Sequence, residues 1–386
     1  MGDGPLAGVR VLELGGIGPG PFAALQLAGM GADVVQLDRL DDVGGPDAAA
    51  ALMGRGKRSV AVDLRTADGV RLVLGLAAQA DIVVEGFRPG TAERLGLGPS
   101  ECHARNPALV YGRMTGWGQH GPLASSAGHD INYISLTGAL HAIGRGGQPP
   151  SVPLCLVGDL GGGAMFLVAG VLAALHEAGQ TGCGQVVDAA IVDGAAALMQ
   201  PIYEMVADGQ WRDERGTNLL DSGRPWYDVY ETRDGRYVSV GAIEDKFYAV
   251  FTELLGLTGA VADRGDPAGW PALRERIAQR FAERDRAHWE AVFGGTDACV
   301  SPVLSIGEAA SHPHLVARQT VVADGSPANL SAAAAPRFGA HPPAAGRGAP
   351  RPGEQTREVL DSWLPDTPIE ALLDRGVISQ WRGPAG

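Results

Sequence analysis

Val9-Arg10-Val11-Leu12-Glu13-Leu14 is aliphatic and β-branched over the length of a strand, and the loop Gly15-Gly16-Ile17-Gly18-Pro19-Gly20 follows it. Residues 21–30 read as a helix with proline in its first turn, where the missing N–H leaves no bond unmade. Gly29 and Gly31 end that helix, and Asp33-Val34-Val35-Gln36-Leu37-Asp38 is the next strand. Strand, helix and strand in this order imply parallel pairing through a crossover, hence an α/β fold. The glycine loop does not fit a nicotinamide fingerprint. A G-x-G-x-x-G frame begun at Gly16 puts Pro21 in the last glycine's place, and one begun at Gly18 flanks its second glycine with Pro19 and Pro21. Asp38 nevertheless closes the second strand where such folds place a ribose-binding acid.

The alternation continues outward from this unit. Strands are expected over residues 59–64, 81–85, 109–114 and 185–188. Helices are expected over 67–79 and 189–203, with short ones near 91–95 and 99–105. Beyond residue 208 the chain turns polar. Two strands at 226–231 and 236–240 then flank Asp234-Gly235, a strong hairpin signal. Helical patches follow at 244–255, 271–282 and 287–293, and again at 354–363 and 368–375 after an Ala/Pro/Gly-rich connector over 325–351. The expected division is a large domain over 1–207, a linker over 208–225, a small α+β domain over 226–324, and a connector with a C-terminal segment over 325–386.

The 386 residues carry a formal charge of −13, which argues against nucleic acid as the main partner, and 45% apolar content, ample for a large core. Four scattered cysteines without a C-x-x-C point to neither a zinc site nor a disulfide framework, so a reducing cytoplasmic setting is expected. The start of the chain lacks a signal-peptide pattern. The longest apolar run, residues 164–175, is short for a bilayer span and reads as a buried helix. No membrane partner and no metal are expected.

Two segments carry chemistry. Gly128-His129-Asp130-Ile131-Asn132-Tyr133 follows the glycine-rich turn Thr115-Gly116-Trp117-Gly118, and Val157-Gly158-Asp159-Leu160-Gly161-Gly162-Gly163 comes downstream. Each places a titratable group after a glycine at the start of a helical run, where free N–H groups keep an imidazole neutral and a carboxylate ionised. Two such groups on opposite sides of one carbon suit proton removal and return. The glycines after Asp159 are expected to let a substrate reach the helix N–H groups. Asp130 reads as a helix cap or as an orienter of nearby backbone. Trp117 and Trp226 read as packing residues.

These motifs resemble the family III coenzyme A transferases, and within them the α-methylacyl-CoA racemase branch. The resemblance is carried by Gly8 to Leu14, Gly29-Met30-Gly31-Ala32-Asp33-Val34-Val35, Glu85-Gly86-Phe87-Arg88-Pro89-Gly90, Arg94-Leu95-Gly96-Leu97-Gly98 and the Gly128 to Tyr133 segment. It implies a Rossmann-like large domain completed by the returning C-terminal segment, a smaller α+β domain, and an interlocked homodimer. It implies that His129 and Asp159 are the acid/base pair racemising 2-methylacyl-CoA thioesters through an enolate, with Glu244 as a supporting acid. It places CoA contacts at Arg39, Arg88 and Arg94, and at Arg55, Lys57 and Arg58. No cofactor is implied beyond CoA as part of the substrate. Two departures stand out: Gly54 replaces a usual asparagine, and Gln355 replaces a usual histidine. A CoA transferase with Asp159 as covalent nucleophile is the alternative. A non-catalytic acyl-CoA-binding protein, which would need neither His129 nor Asp159, is a third.

Overall fold

The opening strand, helix and strand are β1 (Arg10–Glu13), α1 (Pro19–Gly29) and β2 (Asp33–Asp38). This is a computed structural model, and it describes residues 3–43, 53–257, 264–323, 330–341 and 348–383. Next come β3 (Arg58–Val62), α2 (Ala67–Ala78) and β4 (Ile82–Glu85). Thr66 caps α2 by accepting the Gly69 N–H at 3.0 Å. Two short turns, α3 (Thr91–Arg94) and α4 (Pro99–His103), lead to β5 (Val110–Thr115). Helices α5 (Asp130–Leu136) and α6 (Ala139–Ala142) precede a π-helix over Leu156–Ala164, which runs straight into α7 (Met165–Thr181). After β6 (Val186–Ala190) the single helix expected over 189–203 is two, α8 (Ile191–Leu198) and α9 (Gln200–Ala207). Pro201, which has no N–H to donate, sits at the junction.

Strands β7 (Tyr227–Glu231) and β8 (Tyr237–Gly241) form the expected hairpin, in antiparallel register from Tyr227↔Gly241 to Glu231↔Tyr237. Helices α10 (Asp245–Leu255), α11 (Trp270–Ala282) and α12 (Arg286–Phe293) follow. Then come β9 (Val300–Val303), α13 (Ile306–Ala309), α14 (Pro313–Ala317), β10 (Val321–Ala323) and β11 (Leu330–Ala332). The chain ends with α15 (Thr356–Trp363), α16 (Ile369–Asp374) and β12 (Ile378–Ser379). The connector read over 325–351 lies partly outside the described residues.

Two compact units result. The first comprises Met1–Ala139, Pro153–Gln200 and Ala334–Gly386. Its seven-stranded sheet has the order β12-β3-β2-β1-β4-β5-β6, all parallel except β12, which pairs antiparallel to β3. The C-terminal segment therefore supplies an edge strand to the sheet that the N-terminal segment begins. Apolar cores lie on both faces. One gathers Leu12, Val35, Leu76, Tyr111 and Trp363, the other Val11, Leu27, Val84, Leu167 and Val171.

The apolar run read as 12 residues is part of a longer helical stretch. Leu156–Thr181 spans 26 residues and is long and apolar enough, by length and composition, to cross a membrane. Its inner face is a core face: Leu167 and Val171 lie directly over Gly112 of β5, and Leu167, Val168 and Val171 are buried.

The second unit comprises Leu140–Val152 and Pro201–Ala333. A three-stranded antiparallel sheet, β7-β8-β9, is packed by Phe251, Phe281, Trp289 and Phe293 from α10 to α12. Trp226 is buried here, edge-on to Tyr248 and Trp270. Two sequence boundaries need correction. Leu140–Val152, read as large-domain chain, is tied to the second unit: Arg145 pairs with buried Asp228 at 2.8 Å, and Arg215 donates to the carbonyls of His141 and Gln148. The stretch 208–225, read as a linker, is knitted around buried Asn218, whose amide nitrogen donates to Asp221 at 2.7 Å and to the Arg212 carbonyl at 3.0 Å.

Candidate active site

The strand order reverses direction between β1 and β4, and ligands of open α/β sheets bind at such a switch point, beyond the carboxyl ends of the strands. The two loops there touch: the Gly86 N–H donates to the Gly15 carbonyl at 3.3 Å. Asp159 reaches this crevice from the π-helix. A methyl group on Gly18, in the loop after β1, would stand 3.4 Å from its carboxylate.

His129 is the N-cap residue of α5 and is exposed. Its backbone is fixed from both sides. Its N–H donates to the Asn132 side-chain oxygen at 3.0 Å, and its carbonyl accepts the Asn132 N–H at 2.8 Å. Tyr133, one turn on, is buried. Its hydroxyl donates to the Gly128 carbonyl, and Trp117 packs edge-on against its ring at 4.7 Å. Gly116 and Gly128 both sit against that ring, where a side chain would collide with it.

Asp159 stands in the first turn of a π-helix, in which the Leu160 N–H reaches back five residues to the Cys155 carbonyl at 3.1 Å. π-helical geometry is rare and recurs at functional sites. The Asp159 N–H donates to Asp130 Oδ2 at 2.7 Å. Asp130 is thus the backbone orienter expected from sequence, while the cap position belongs to His129. Among the glycines after Asp159, Gly162 has a packing role. A methyl group on Gly162 would stand 2.6 Å from the Ala195 nitrogen, and one on Gly194 would collide with the Gly162 carbonyl. They let the π-helix and α8 cross almost backbone to backbone.

The electrostatics differ from the sequence expectation as well. A helix start was expected to hold the Asp159 carboxyl ionised. Burial first, then the neighbouring Asp130 charge, push it up to about 6, with His129 pulling the other way. Tyr133 is raised by burial and by the Asp159 charge, and the cation of Arg88 opposes this. His129, Asp130, Tyr133, Asp159 and Arg88 therefore form one electrostatic neighbourhood. Tyr133 was part of the motif read from the sequence but was given no role of its own. Its signal was the one-turn spacing from His129, a periodicity that sets side chains on one helix face.

The remaining candidates divide by what they touch. Arg39, just past β2, and Arg88, in the loop after β4, are exposed at carboxyl ends of the sheet. Arg94 is exposed on α3 and donates to the Thr91 hydroxyl at 2.8 Å. Arg55 is half-buried. Lys57 and Arg58 spend their charge inside the fold. Lys57 Nζ meets Glu13 at 2.7 Å and the Pro21 carbonyl at 2.9 Å, and Arg58 forks onto Asp33. Neither is offered to a ligand in this arrangement. The Asp38 carboxylate is likewise taken, by the Ser59 hydroxyl and the Gln36 amide. Gln355, standing where a histidine was usual, accepts the Ser59 N–H at 3.0 Å and is a buried strut. Glu244 is the exposed N-cap residue of α10 in the second unit. Among the described residues no group of three or more His, Cys, Asp and Glu side chains is gathered as a metal site.

Residues 6–356 match the CoA-transferase family III model. The chain is 42% identical over 358 residues to the alpha-methylacyl-CoA racemase of Mus musculus, covering 92% of each chain. It is 39% identical over 367 residues to the racemase of the same name from Homo sapiens, covering 93% of each. Among solved structures it resembles a CAIB/BAIF family protein from Brucella suis, with a TM-score of 0.80 and 24% identity over 94% of this chain and 100% of that one. The chain belongs to CoA-transferase family III.

Proposed function

We propose that the protein interconverts the (2R) and (2S) epimers of 2-methylacyl-CoA thioesters by moving one proton off and another onto the α-carbon. His129 and Asp159 are the two acid/bases, each taking the proton on one face while the other returns one. The observation that carries this reading is the Asp159 carboxyl at the sheet's switch point, pushed up to about 6 beside an exposed imidazole. Such a carboxyl is mostly ionised at neutral pH yet recovers its proton readily, as a reversible base must. The two racemases with about 40% identity supply the substrate class.

Arg39, Arg88 and Arg94 bind the CoA phosphates in this reading, with Arg55 alongside, since guanidinium suits phosphate oxygens. Glu244 acts as the supporting acid. CoA enters only as part of the substrate. The working unit is a cytoplasmic homodimer, and the exposed apolar residues Leu154, Leu156, Met165, Phe166 and Leu198 give it a surface to bury.

The test is a single-epimer 2-methylacyl-CoA in deuterated water. Racemisation with solvent deuterium at the α-carbon supports the reading, and His129→Ala should cut it by orders of magnitude. Acyl exchange onto free carboxylic acids without loss of stereochemistry would make the protein a transferase, with Asp159 as nucleophile. Undiminished racemisation by His129→Ala would end the two-base assignment.

A further inference from the structure

We propose that Asp130 is the positioning residue of this site: it holds Asp159 in register with His129 and supplies the fixed negative charge against which Asp159 takes up and releases its proton. The kinetic part of this inference rests on the racemase reading above.

Three observations converge on Asp130. Its Oδ2 takes the Asp159 backbone N–H at 2.7 Å, so the turn bearing Asp159 hangs from a side chain on α5 rather than closing on itself. Its Oδ1 is buried and has no hydrogen-bond partner, in a residue only 8% exposed. A carboxylate that serves only as a hydrogen-bond acceptor would be replaceable by a neutral group at lower desolvation cost, so a half-satisfied buried charge points to a use for the charge. Finally, the backbone opposite makes room for it, because Gly158 carries no side chain and one there would overlap the Asp130 carboxyl. Asp130 also directly follows His129. One turn of α5 thus carries one base and the anchor of the other.

The charges around the pair are few. From α5 come His129, Asp130 and the Tyr133 hydroxyl, and from the loop after β4 comes Arg88, acting on Tyr133. Helix α1 has no ionisable side chain, and α8 has only the exposed Asp193. In β5 the Arg113 charge is met by Glu85 and Glu93, and in β6 Asp188 accepts the Gln119 N–H. Asp130 is the anion beside Asp159, and Asp159 is raised partly on its account.

Two substitutions separate position from charge. Asp130→Asn keeps an oxygen for the Asp159 N–H and removes the charge. Asp130→Ala removes both. For Asp130→Asn the acid limb of the kcat/KM profile should move down by about one pH unit, the size of a neighbouring-charge effect. The Asp159 carboxyl, followed by 13C NMR in aspartate-labelled protein, should titrate lower by the same amount. Asp130→Ala should lose about tenfold more kcat than Asp130→Asn, because a displaced base misses near-attack geometry. An Asp130→Asn protein whose acid limb and Asp159 titration both stay put overturns the inference. Asp159→Asn and His129→Ala run alongside. If both still racemise, the two-base assignment falls, and the NMR titration of Asp159 still decides the role of Asp130.

Discussion

The Lys57 ammonium lies 2.7 Å from a Glu13 carboxylate oxygen at the end of β1, with both side chains almost wholly buried. Burial pushes the Glu13 carboxyl up while Lys57 draws it down, so each charge is tolerable only with the other. Lys57→Ala should therefore cost about 3–5 kcal/mol in urea unfolding, the usual result of orphaning a buried partner. Glu13→Leu combined with Lys57→Met should recover most of that loss and leave KM for acyl-CoA unchanged. Arg88→Ala should instead raise KM with stability intact. A raised KM in the double variant would return Lys57 to the CoA-binding set.

The crossing of the π-helix over α8 gives a prediction free of any functional assumption. With a methyl group at Gly194 directed at the Gly162 carbonyl, only backbone movement relieves the clash. Gly194→Ala should cost about 1–3 kcal/mol, the range for overpacking a core, despite alanine's better helix propensity. Thermal unfolding checks it. A variant as stable as the parent would mean that the two backbones do not approach so closely.

The six parallel strands of the large sheet were legible because each is a short, mostly aliphatic run with a glycine close to one end, and the hairpin because Asp234-Gly235 sits between two alternating stretches; the short β12 was not read. Charged residues were read less well. Nothing near Lys57 in sequence marks Glu13, 44 positions earlier, as its partner, so a buried lysine and a phosphate-binding one look alike. The packing role of Gly162 in the triple glycine after Asp159 was missed for a related reason. Glycine signals close approach without saying of what, and here α8 approaches. Leu140–Val152 was assigned by continuity, whereas its place is fixed by contacts from Asp228 and Arg215 far along the chain. His129 and Asp159 were found by motif. Asp130 was read as a cap or a backbone orienter, and that the backbone it orients is that of Asp159 became visible only in three dimensions.

Asp159 should also leave a thermodynamic trace. Its carboxyl titrates near 6 in the folded chain, against an ordinary unfolded value near 4. Between those two values the folded state holds more protons, so stability falls as pH rises through the window and is level above it. Asp159→Asn removes the dependence. It should leave stability nearly unchanged at pH 4 and raise it by about 1–2 kcal/mol at pH 8, allowing for partial solvent screening. Denaturant midpoints at several pH values measure this. A gain that is constant with pH would show that Asp159 titrates normally.

Gly158 and Asp130 offer a last test, because they occupy the same space from opposite sides. The Asp130 carboxyl group fits only because residue 158 has no side chain. Gly158→Ala should push that carboxyl away from the Asp159 N–H, lowering stability by about 1–3 kcal/mol and racemisation at least tenfold. In an Asp130→Ala background only the Ile134 methyl group, 3.1 Å away, still crowds the new side chain, so Gly158→Ala should then cost much less in stability. Residues sharing one contact depart from additivity in this way, whereas independent sites do not. Strict additivity of the two stability losses would show that Asp130 does not lean on Gly158. The close packing that brings Asp130 to the Asp159 N–H would then be wrong.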